Sequence, residues 1–75
     1  MNAHEFWGQY RKDLVPGVSK YALLRDVLVT AIESGHWKRG AQLPTEQELA
    51  RETPFSLGTV QRALRSLVDE GIIVR

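Results

Sequence analysis

Residues 43–67, LPTEQELARETPFSLGTVQRALRSL, limit what this chain can fold into more than any other stretch. Leu43 enters extended, because a residue ahead of a proline is pushed away from the helical region. Thr45 then caps a helix, and Glu48 three residues on completes a capping-box pattern. Glu46 and Glu48 occupy the first turn, where the helix dipole favours negative charge. Leu49 and Ala50 face inward, while Arg51 and Glu52 stay in water. Pro54 ends this helix, so the turn covers residues 53–55, with Phe55 plugging the angle between two helices. Ser56 caps the next helix, expected over about Leu57 to Glu70. Its buried stripe is Val60, Ala63, Leu64, Leu67 and Val68, and the opposite side carries Leu57, Gly58, Gln61, Arg62 and Arg65. Two short helices joined by a tight turn, the second polar on its outer face, make a helix-turn-helix, which puts its second helix into the DNA major groove.

The rest of the chain supports that pair. Residues 3–14 predict a short helix with Phe6, Tyr10 and Leu14 at helical spacing and Trp7 beside them, weakened by Gly8 and ended at Val15-Pro16-Gly17. So many aromatics in so few residues require cover, from the domain or from a partner chain. Ser19 caps a core helix over about Lys20 to Ser34, with Tyr21, Leu24, Val27, Leu28, Ala31 and Ile32 as its apolar face and Gly35 as its stop. His36 to Gly40 form a turn into a short extended piece, Ala41-Gln42-Leu43. Gly71 ends the last helix, and Ile72-Ile73-Val74 is expected to be a strand.

Composition excludes more than it selects. With 75 residues the chain is one small domain, and 43% hydrophobic against 25% charged residues argues for a folded one. No cysteine means no disulfide, thiolate metal site or Cys nucleophile. Neither a signal peptide nor a membrane-spanning run is present, so a cytoplasmic protein is expected. His4 and His36 lack partners at ligand spacing, and there is no phosphate-binding Gly-rich loop and no Ser/His/acid grouping; no metal, no cofactor and no enzymatic activity are expected. The net charge is +1, which is no advertisement for nucleic acid. The case for DNA rests on the motif.

Taken together, residues 20–75 resemble the N-terminal winged-helix domain of the GntR family of bacterial regulators. The resemblance is carried by Tyr21, Ile32-Glu33-Ser34-Gly35, Gly40, Leu43-Pro44-Thr45-Glu46, Leu49-Ala50, Ser56, Thr59-Val60, Ala63-Leu64, Leu67 and Gly71-Ile72-Ile73. It implies a mostly α winged helix-turn-helix: a three-helix core plus short β strands, with the wing incomplete at Arg75 and a possible extra N-terminal helix. Residues 1–18 would be an arm or short helix, and 19–75 the DNA-binding domain. It also implies a homodimer on double-stranded operator DNA, and a C-terminal domain, absent from this chain, that binds a small-molecule effector. A piece lacking the return strand and that domain is expected to bind DNA weakly and with little specificity.

The departures from the family are informative. Leu57 stands where the family usually has an arginine after the capping serine, Gln61 where it has one after the Thr-Val pair, and Thr53-Pro54-Phe55 where Leu-Gly-Val is common. Gln61 is therefore expected to read a base edge, adenine through its amide. Leu57 would touch a thymine methyl, and Gly58 would let the backbone approach closely. Ser56, Thr59, Arg62 and Arg65 suit phosphates. The family's contact from the preceding helix falls on Gln47, again toward a phosphate. The competing reading for every one of these is a solvated face, or a winged helix docking on another protein without DNA readout. A third is the same module fused to an aminotransferase-like domain.

Overall fold

The computed structural model describes residues 3–37 and 43–73. Four helices follow one another: α1 (Ala3–Tyr10), α2 (Lys20–Glu33), α3 (Glu46–Glu52) and α4 (Leu57–Asp69). No strand is present among the described residues. The mostly α fold expected of a GntR-type helix-turn-helix is thus observed, without strands among the described residues.

α2 and α4 form the main packing pair, α3 crosses α4, and α1 lies over α2 and α3. The core is Leu23, Leu24, Val27, Leu28 and Ala31 from α2, Leu49 from α3, and Val60, Ala63, Leu64 and Leu67 from α4. Leu23 adds to the α2 face that periodicity gave. Val68, expected in the α4 stripe, is 37% exposed. At 100° per residue it falls at the edge of the arc set by its buried neighbours, beside Leu57 and Gln61.

α1 is shorter than the spacing of Phe6, Tyr10 and Leu14 predicts. It ends at Tyr10, and Leu14 is 53% exposed. Phe6 is fully buried with its ring 5.0 Å from that of Trp37, and Trp7 meets Phe55 edge-on at 5.4 Å. An eight-residue helix is marginal alone. It persists where those rings find partners and stops where Leu14 would find none. The aromatics are covered by the domain itself.

α2 and α4 close identically. At α2, Gly35 (φ 78°) donates to the Ile32 carbonyl and His36 to that of Ala31. At α4, Gly71 (φ 74°) donates to Val68 and Ile72 to Leu67. Both are Schellman closures, which need a left-handed residue that only glycine adopts without strain. The second bears on the expected strand over 72–74, of which the described residues 72–73 form none. The amides of Ile72 and Ile73 turn back to the Leu67 carbonyl, at 2.9 and 3.4 Å, and are not free for a ladder. Val74, and the Ala41-Gln42 part of the other extended piece, lie outside the described residues; Leu43 is in no strand.

Candidate nucleic-acid interface

α3, the turn and α4 are locked by side chains that sequence spacing anticipates. The Thr45 hydroxyl accepts from the Glu48 amide at 3.1 Å, and the Ser56 hydroxyl from the Thr59 amide at 3.2 Å. Ser19, by contrast, sits at the α2 N-cap without a side-chain cap bond. The turn itself uses no left-handed residue. Thr53 is extended (φ −123°, ψ 162°), as a residue before proline prefers. Its buried hydroxyl donates to the Leu49 carbonyl at 2.6 Å and accepts from the Phe55 amide at 3.4 Å. A hydroxyl bridge and a proline do here what a glycine turn does elsewhere.

This frame sets out the eight candidate contacts unequally. Gln47, Ser56, Leu57, Gly58, Gln61, Arg62 and Arg65 are exposed and Thr59 is half-buried. Gly58, Gln61, Arg62 and Arg65 line one open groove of about 580 Å³, with Tyr21, Ser66, Asp69 and Glu70. A side chain at position 58 would meet nothing within 4 Å, so the glycine leaves the surface low. Leu57 lies outside that groove, 41% exposed. Ser56 is partly spent, because its hydroxyl also donates to that of Thr59 at 3.0 Å. That leaves the Thr59 hydroxyl hydrogen as the one able to reach outward. Gln47 stands apart on α3.

Three partnerships here were beyond the reach of sequence spacing. The Arg62 guanidinium lies 3.9 Å above the centre of the Tyr21 ring, fixing its position from α2. Arg25 of α2 forms an ion pair with Glu70, its Nε at 2.8 Å, which offsets one of the two acids at the far end of α4. That Glu70 hydrogen bond raises the Arg25 pKa above its ordinary value. The Gln61 side-chain amide donates to the Glu46 carboxylate at 3.2 Å, joining α4 to the first turn of α3. The face is therefore basic around the middle of α4, at Arg62 and Arg65, and acidic beyond Ser66.

A helix-turn-helix with this outer face is matched by the family model for bacterial regulatory proteins of the gntR family, over residues 20–75. The chain belongs to the GntR family. It is 40% identical over 55 residues to the histidine utilization repressor of Pseudomonas aeruginosa, a match covering 73% of this chain and 22% of that protein. The histidine utilization repressor of Klebsiella aerogenes is also 40% identical, with 73% and 23% covered. The probable fructoselysine utilization operon transcriptional repressor of Escherichia coli is 36% identical over the same shares. This GntR-family module thus spans less than a quarter of the length of the relatives it matches. No solved structure gives a significant match. The family is one of transcription regulators, in keeping with the expectation that the chain is not an enzyme. No described helix is long and apolar enough to cross a membrane.

Proposed function

We propose that this chain is the operator-reading domain of a bacterial, ligand-responsive repressor. The N-terminal half of α4 enters the major groove of double-stranded DNA. The observation that carries this is the open groove on the outer face of α4, where Gly58, Gln61, Arg62 and Arg65 stand together. Gln61 reads a base edge there, and Leu57 meets a thymine methyl. Thr59, Arg62, Arg65 and, from α3, Gln47 hold the phosphates, and Ser56 takes part by orienting the Thr59 hydroxyl toward them. The relatives' greater length supports a further domain that binds a small effector and pairs two copies, so that two α4 helices meet a two-fold-related operator. The DNA-binding unit is residues 19–75, with residues 1–18 an added segment, and the protein works in the cytoplasm.

Exposed Leu57 and Val68 on one flank of α4 favour a second reading, in which the same face docks on a protein. One double variant separates the two. Gln61→Ala with Arg62→Ala is expected to weaken operator binding by about a hundredfold, taking roughly 1–3 kcal/mol for a lost base contact and somewhat less for a phosphate. Fluorescence anisotropy in the intact regulator measures it. Unchanged DNA affinity would leave the protein-docking reading standing.

A further inference from the structure

Gln61 and Glu46 are fifteen positions apart, on different helices, and meet at 3.2 Å through the Gln61 amide nitrogen. A carboxylate offers only acceptors. It can bond the –NH2 end of the Gln61 amide and not the carbonyl end, so a flipped amide would set oxygen against oxygen. The carboxylate therefore fixes which way the amide points, which an unsupported surface glutamine does not do.

An amide nitrogen carries two hydrogens, and one of them is engaged with Glu46. With Glu46 on the hydrogen anti to the carbonyl, the hydrogen beside the carbonyl oxygen stays available, and the two form one donor–acceptor edge. Adenine presents the complementary pair in the major groove, an acceptor at N7 and a donor at N6. Guanine presents two acceptors there and cannot satisfy the carbonyl. We infer that Glu46 is a positioning residue, which holds the Gln61 amide in the one orientation that reads adenine. The inference rests on the reading of α4 as the operator-binding helix. It also gives Glu46 a reason to stand near the DNA face, where a carboxylate costs affinity by repelling phosphate. Specificity is gained and general affinity is lost.

The test selects duplexes from a random-sequence library with the intact protein, the Gln61→Ala, Glu46→Gln and Glu46→Ala variants, and measures the affinity of each for the wild-type winner and its single-base substitutions. The wild-type protein should enrich one sequence in which an adenine position is lost in Gln61→Ala. Both Glu46 variants should lose about tenfold of the preference for adenine at that position, within the range of one bidentate base contact. Their affinity for unrelated duplex should be equal or higher, which no merely misfolded variant would show. Retention of the full adenine preference in both Glu46 variants, with its loss in Gln61→Ala, would overturn the positioning role and leave operator reading intact. Enrichment of no sequence by the wild-type protein would overturn both.

Discussion

Thr53 closes α3 with one hydroxyl used twice, toward the Leu49 carbonyl and the Phe55 amide. Replacing it with valine keeps the shape and leaves the Phe55 amide short of a partner, while the Leu49 carbonyl keeps the Thr53 amide at 3.0 Å; the cost is about 1–3 kcal/mol. Urea unfolding of Thr53→Val should show a lower midpoint at constant slope. His36 is a different kind of residue-scale feature. Its ring packs edge-on to Tyr10 at 4.9 Å, and its Nε2 is buried with no partner among the described residues. Burial lowers its pKa, with Glu5 acting weakly the other way. The fold thus prefers the neutral ring. That contribution is complete above the ordinary value of about 6.5 and is lost as pH falls from there toward the lower native value. The unfolding midpoint should drop as pH is taken below about 6.5, and His36→Phe should flatten that drop; an equal slope in both proteins would assign it elsewhere. At this scale the sequence disclosed the capping hydroxyls and the proline turn, because their partners lie within three or four positions. It could not disclose Arg62 over Tyr21, or Gln61 with Glu46, since each joins residues on separate helices.

Helices were legible where their apolar spacing repeats, and less so at their ends. α2, α3 and α4 fall within a residue or so of the expected bounds, each marked by Ser, Thr, Pro or Gly. α1 shows what periodicity alone misses: Leu14 has the right spacing and no surface to meet. Phe6→Ala should therefore cost about 3–5 kcal/mol, whereas Leu14→Ser should stay within about 0.5 kcal/mol. Parallel urea titrations decide between them, and similar losses for the two would contradict the placement of α1. The expected strand is not formed at the described residues 72–73 for a related reason. Ile72 and Ile73 have the β-branched composition of a strand, yet Gly71 turns their amides back onto α4.

For the whole molecule, the family and the helical core were open to sequence reasoning because several independent positions specify them. The contact face was open only in outline. The chemistry of that face depends on which residues the fold brings together, and its net charge is too small to announce it. The function proposed for the molecule requires the N-terminal half of α4 to be the surface that meets DNA. Amide chemical-shift mapping of the intact protein, titrated with a duplex selected from a random library, tests this most directly. The largest shifts should fall on residues 56–65 and the first turn of α3, with α1 nearly silent. Shifts concentrated on α1 or on the exposed side of α2, with residues 56–65 unmoved, would contradict the proposed function.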